Sequence, residues 1–167
     1  MKIGEFELIF YNEEYKEIKD EFVDGKSSSR FINNIDNRLN IKKNDDFFNH
    51  GYLIKLNNDI VGYLYVSGIT NNNIYLEYSI RLDYRNQKIA RNLLENVTNY
   101  ICENYNINEI KLNIYKDNRA SQKVAEECGY YLQNEEEYLY KVDSDFVINN
   151  QYFINKNRNW WILKNMI

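Results

Sequence analysis

Ile80-Arg81-Leu82-Asp83-Tyr84-Arg85-Asn86-Gln87-Lys88-Ile89-Ala90-Arg91 is the stretch on which the fold of this chain turns. Just before it, Ile74, Leu76, Tyr78 and Ile80 alternate with Tyr75, Glu77 and Ser79, the period of two that predicts a strand over 74–80. Just after it, Ile89, Leu93, Leu94, Val97, Ile101 and Tyr105 recur with a period near 3.6, which predicts an amphipathic helix of about four turns. The stretch is therefore a strand end, a loop and a helix start. It carries four cations, Arg81, Arg85, Lys88 and Arg91. The positive end of a helix dipole disfavours each neighbouring cation by about 0.3–1 kcal/mol. Either a bound anion such as phosphate relieves that frustration, or the side chains splay into solvent.

Residues 52–56 and 60–67 read as a hairpin about a turn at Asn57-Asn58-Asp59, with Ile60, Gly62, Leu64 and Val66 on one face. A second turn, Asn71-Asn72-Asn73, leads into the strand 74–80. Nearer the N-terminus, residues 6–10 alternate as a short strand. Helices are expected over 12–22, capped by Asn12 and ended by Asp24-Gly25, and over 29–41. On the C-terminal side, residues 109–115 form a strand with Ile110, Leu112 and Ile114 facing one way. Asn118 then caps a short helix carrying Ala120, Val124 and Cys128, which Gly129 ends. Residues 130–142 are expected as a strand, kinked or turned at 133–136, and 160–163 as the last strand, with 143–159 unassigned. Strand–helix–strand–helix in the second half implies a parallel pair inside a mixed sheet. The fold class is α/β with a mostly antiparallel mixed sheet, in a single domain over 1–167.

Composition narrows function. No run approaches 18 apolar residues, so no membrane-spanning helix is expected. Residues 1–14 lack the apolar core of a signal peptide, and the two cysteines, Cys102 and Cys128, form neither a CxxC pair nor a disulfide framework. A cytoplasmic location is the expectation. A net charge of −4 disfavours nucleic acid as a partner. The 28 asparagines, 16 tyrosines and absence of proline follow most simply from an A/T-rich genome. His50 has no nucleophile or metal cluster around it and is expected in a loop. Cys128 reads as core. Trp160-Trp161 either packs the last strand or lines a pocket for a cation.

The segment Arg85-Asn86-Gln87-Lys88-Ile89-Ala90 resembles the Gln/Arg-x-x-Gly-x-Gly/Ala acetyl-CoA signature of the GNAT superfamily of N-acetyltransferases. Asn118-Arg119-Ala120-Ser121-Gln122-Lys123-Val124-Ala125-Glu126-Glu127-Cys128-Gly129-Tyr130 resembles that family's Asn-x-x-Ser-x-x-Val-Ala-x-x-x-Gly-Phe/Tyr helix. The form is similar to the branch of ribosomal-protein N-terminal and polyamine acetyltransferases. The likeness is clear over 52–130, the acetyl-CoA core, whereas 12–49 and 131–167 would shape the acceptor pocket.

The resemblance implies acetyl-CoA as co-substrate and direct transfer of its acetyl group to a small-molecule or peptide amine, in a monomer or homodimer. Tyr78, Ser79 and Ile80 would line the pantetheine arm, with backbone N–H groups near Ile80 polarising the thioester carbonyl. Arg85, Asn86, Gln87, Lys88, Ile89, Ala90 and Arg91 would hold the pyrophosphate. Asn118 would touch the pantetheine or orient its helix. Ser121 would protonate the departing thiolate, and Glu77 or Glu137 would serve as base or attract a cationic acceptor. No metal ligand set is readable. Two departures stand out: Lys88 replaces the motif glycine, and Ala125 stands where many members carry a tyrosine. They keep open an inactive acyl-CoA-binding module, or a partner-binding α/β domain without cofactor, as alternatives.

Overall fold

The computed structural model describes residues 1–10, 15, 47–115, 118–132, 138–142 and 145–155. Apart from residue 15, the helices expected over 12–22 and 29–41 and the strand expected over 160–163 lie outside them.

The strands are β1 (Lys2–Ile3), β2 (Phe6–Phe10), β3 (His50–Leu56), β4 (Asp59–Val66), β5 (Asn73–Ile80), β6 (Glu109–Tyr115), β7 (Tyr131–Leu132), β8 (Tyr138–Val142) and β9 (Asp145–Asn155). The helices are α1 (Ile89–Asn104) and α2 (Arg119–Glu127). One sheet runs β1-β2-β3-β4-β5-β6-β9-β7, and β8 also pairs with β9. Every described pairing is antiparallel except β5 with β6. The crossover between that parallel pair is α1, as strand–helix–strand order requires.

The turns form where asparagine tolerates a left-handed backbone. Asn57 and Asn58 turn β3 into β4, and Asn71 and Asn72 turn β4 toward β5, all four at positive φ. The alternation expected in β4 breaks at one point. The register moves from Ile54↔Gly62 to Lys55↔Ile60, so Val61 is a bulge. Ile60 therefore lies not with Leu64 and Val66 but in the cluster of Leu53 and Tyr63 on the opposite face.

Helix α1 buries Ile89, Leu93, Leu94, Val97, Thr98 and Ile101; Thr98 joins the predicted stripe, whereas Tyr105 lies past the helix as its C-cap and is only half-buried. The helix packs its buried residues against Ile74, Leu76, Ile80, Ile110, Leu112 and Ile114 of the parallel pair, with Ala125, Cys128 and Tyr130 completing the main core. The expected strand over 130–142 is two strands, β7 and β8, with 133–137 between them undescribed. The segment left unassigned by sequence is β9, which lies between β6 and β7. His50 is not a loop residue. It opens β3, 2% exposed, with its ring edge-on to Phe10 at 5.3 Å.

Candidate functional site

The parallel pair holds register for four residues, from Asn73↔Glu109 to Leu76↔Leu112, and then parts. Beyond that point β5 stays paired with β4 up to Gly62↔Ile80. The Ser67 N–H donates to the Tyr75 carbonyl, the Tyr75 N–H donates to Ser67 Oγ, and the Arg81 N–H donates to the Val61 carbonyl. Odd-numbered residues thus point their peptide groups at β4. By strand alternation, the N–H and C=O of Tyr78 and the N–H of Ile80 face the gap where β6 has separated. The Ile80 carbonyl is taken, because Arg85 Nε donates to it at 3.0 Å. Unpaired strand groups of this kind suit an extended ligand that completes the ladder.

The loop beyond is held by its own cations. Arg81 Nη1 donates to the Ile60 carbonyl, 2.6 Å away, and its guanidinium lies 5.3 Å from the Tyr84 ring. Arg91 reaches Glu127 at 3.9 Å across the two helices. The sequence reading of four crowded cations is thereby refined. Two arginines brace the loop through carbonyls and a third is paired, leaving Lys88 exposed with no side-chain bond among the described residues.

Lys88 is the cap residue of α1, with φ 61° and ψ 7°, and supplies no side-chain cap. The first helical bond runs from the Asn92 N–H to the Lys88 carbonyl at 3.0 Å. The amides of Ile89, Ala90 and Arg91 therefore lack intrahelical acceptors at the positive end of a 16-residue helix. No acidic residue occupies the first turn. That end is suited to an anion, and Lys88 holds there a left-handed backbone of the kind glycine adopts without strain.

The second helix brings its first turn to Tyr78 of β5 and its end to the first turn of α1, where Glu127 and Cys128 meet Arg91. Asn118 Oδ1 accepts from the Ser121 N–H at 3.1 Å, so its capping role is present. Tyr78, on the helix-facing side of β5, has a hydroxyl that is shut off from solvent and makes no hydrogen bond. Burial pushes its pKa well above the usual phenol range, the Cys128 sulfur adds to this, and the neighbouring Ser121 side chain opposes it. Beneath lie Cys128, whose thiol is pushed up to about 12 by burial first and Glu95 second, and Tyr130, raised by burial and bonded at 2.7 Å to the Thr98 hydroxyl.

Glu77 is on the opposite face of β5, where the Tyr63 hydroxyl donates to its Oε1 at 2.9 Å. Tyr63 is fully buried and fixes that carboxylate. Ser79 shares the face of Glu77, so Tyr78, Ile80, Asn118, Ser121 and the α1 amides gather on the gap and helix side while Glu77 stands behind the strand. Glu137 lies outside the described residues. Sequence reading missed Tyr63 and the Tyr78 hydroxyl. The signal for Tyr63 was hairpin register: pairing Tyr65 with Glu77 sets Tyr63 diagonally beside it. The Tyr78 side chain had no such signal, because its surroundings come from a helix some forty residues later.

Among the described residues no group of His, Cys, Asp or Glu is arranged to hold a metal, and no helix is long and apolar enough to cross a membrane. A family model for an acetyltransferase (GNAT) domain matches residues 7–131. No curated protein matches the sequence. Among solved structures, a GNAT-family acetyltransferase from Bacillus anthracis superposes with TM-score 0.71 at 12% identity, over 95% of this chain and 99% of that one. The Vibrio cholerae spermidine N-acetyltransferase, solved with CoA and spermine, gives 0.68 at 13%, over 93% and 98%. RimL, a ribosomal L7/L12 alpha-N-protein acetyltransferase solved with CoA, gives 0.64 at 18%, over 91% and 94%. At these identities the structural likeness speaks for the fold.

Proposed function

The chain belongs to the GNAT acetyltransferase family, and from that premise we propose that it transfers the acetyl group of acetyl-CoA to a primary amine by direct attack in a ternary complex. The observation that carries this is the parting of β5 and β6 after Leu76↔Leu112 beside the uncapped start of α1. An extended arm fits the gap, and a pyrophosphate fits the free amides at its end.

Acetyl-CoA supplies an activated acyl group as a thioester. The residues do the rest. The Tyr78 and Ile80 backbone groups align the arm, and the Ile80 N–H polarises the carbonyl as negative charge builds on its oxygen. The Arg81 N–H is spent on Val61 and takes no part. The amides of Ile89, Ala90 and Arg91 hold phosphate, and Lys88 adds a point charge. Ser121, beside the α2 start, serves the departing sulfur. Glu77, held by Tyr63, draws in a cationic amine or accepts its proton through water. A lysine-like amine of pKa about 10.4 costs roughly 4–5 kcal/mol to deprotonate at pH 7, against about 1 for an α-amine, so a polyamine acceptor leans on Glu77 far more than a peptide N-terminus does.

Thermal unfolding with acetyl-CoA, free CoA and ATP tests the reading. Acetyl-CoA at about 100 times Kd stabilises by about 2.7 kcal/mol and raises the midpoint by several degrees, while ATP does not. No shift at millimolar acetyl-CoA overturns it. An amine panel follows on the wild type, Ser121→Ala and Glu77→Gln. Binding without turnover on any amine would favour a binding module, and unchanged kinetics in either variant would remove that residue from the scheme.

A further inference from the structure

The Tyr78 hydroxyl is buried and unbonded, an arrangement native folds seldom keep without a use. Its polar neighbours are committed elsewhere. The Tyr130 and Thr98 hydroxyls bond each other, the Cys128 thiol donates to the Arg91 carbonyl at 3.5 Å, and the Ser121 N–H donates to Asn118. Ala125, buried on the same helix, offers no polar side-chain group. What remains near the phenol is the Ser121 side chain, close enough to influence it, although the two make no well-formed hydrogen bond. An atom lying between the two hydroxyls would be within reach of both. It would also sit at the positive end of α2, a nine-residue helix, beside the gap that the Tyr78 peptide group itself faces.

We propose that this is the station of the thioester sulfur, and that the Tyr78 hydroxyl donates a hydrogen bond to it as it becomes a thiolate. The inference rests on the acetyl-CoA reading above. In the transfer, the amine nitrogen bonds to the carbonyl carbon, the carbon–sulfur bond breaks and its electron pair goes to sulfur. The surplus proton on nitrogen leaves to water or Glu77. Tyr78 keeps its own proton, since burial makes a tyrosinate costly there. It lends a hydrogen bond and no proton, and solvent reprotonates the released thiol. Ser121 is the second donor, on the other side of the same atom.

The test compares wild type with Tyr78→Phe, using CoA and a CoA analogue whose thiol is replaced by hydrogen, at pH 7 and pH 9.5, across the ordinary thiol range. In the wild type, CoA gains on the sulfur-free analogue by about tenfold as the thiol ionises, the worth of a hydrogen bond to a charged group. In Tyr78→Phe that gain shrinks to about threefold or less, while the analogue binds as before. Apo Tyr78→Phe melts no lower than wild type, because the hydroxyl it removes has no partner to lose. A full pH-dependent gain in the variant, or a clear loss of apo stability, overturns the proposal and leaves the acetyl-CoA reading standing. A wild type that binds neither compound overturns both. The wild-type measurement stands alone: equal affinity for CoA and the analogue at pH 9.5 is also fatal to the thiolate station.

Discussion

Lys88 shares a backbone conformation with six asparagines. Among the described residues the other non-glycine positions at positive φ are Asn49, Asn57, Asn58, Asn71, Asn72 and Asn86. Asparagine adopts this region readily because its short amide bonds the local backbone, whereas other side chains are disfavoured by about 1–2 kcal/mol. The left-handed turns account for where these six stand. Lysine has no such local bond at position 88, so its strain belongs with the start of α1, which it caps. Two substitutions separate its effects. Lys88→Ala keeps the strain and loses the charge, and Lys88→Gly loses both. Lys88→Gly is expected to be about 1 kcal/mol more stable than Lys88→Ala, after allowing for the freer unfolded chain of glycine, a difference that chemical denaturation resolves. Lys88→Ala is expected to weaken acetyl-CoA binding severalfold; unchanged affinity would show that the ammonium does not compensate for the missing glycine.

At the scale of elements, the site depends on how β4 holds β5 while β6 lets go. Gly62 makes this possible. A Cβ there would meet the Ser79 carbonyl oxygen at 2.8 Å and Ile80 Cδ1 at 3.0 Å. The first of these is backbone and cannot rotate away. Gly62→Ala is expected to destabilise by about 1–3 kcal/mol, seen as a lower urea midpoint, and to weaken acetyl-CoA binding as Ser79 and Ile80 shift. A wild-type midpoint would mean that β4 and β5 separate freely at that point. The same elements show what was legible in the sequence. The α1 stripe, the alternation of β5 and the Asn118 cap are local patterns, and each formed as read. The parallel pair followed from element order. What escaped depends on how strands pair and pack: the Val61 bulge that turns Ile60 over, the burial of His50 against Phe10, and β9 inserted beside β6. The candidate site divides in the same way. Its loop and helix starts carry motifs, whereas the Tyr63–Glu77 bond and the orphaned Tyr78 hydroxyl arise only when the sheet and α2 are assembled.

Across the whole molecule, the helix-facing core beneath the site holds three acidic protons that water would release more easily. Cys128, raised from 9.0 to about 12, and Tyr78 and Tyr130, raised above the usual 10, owe this first to burial. Folding stability must therefore depend on alkaline pH. Below pH 9 both folded and unfolded chains keep all three protons, and the contribution of these groups is complete. Above pH 9 the unfolded chain gives up the thiol proton, and above pH 10 the phenol protons, while the folded chain still holds them. The unfolded state then binds fewer protons, so stability falls as pH rises, by up to about 1.4 kcal/mol per pH unit for each group in its window. For Cys128 that window runs from 9 to about 12. Urea unfolding at a series of pH values is expected to give a plateau up to pH 9 and a decline that steepens past pH 10. In Cys128→Ala the plateau should extend to about pH 10, because the earliest of the three windows has been removed. A wild-type profile level to pH 11, or a variant whose decline begins where the wild type's does, would mean that these groups reach solvent in the folded protein, and that the space under Tyr78 is wet.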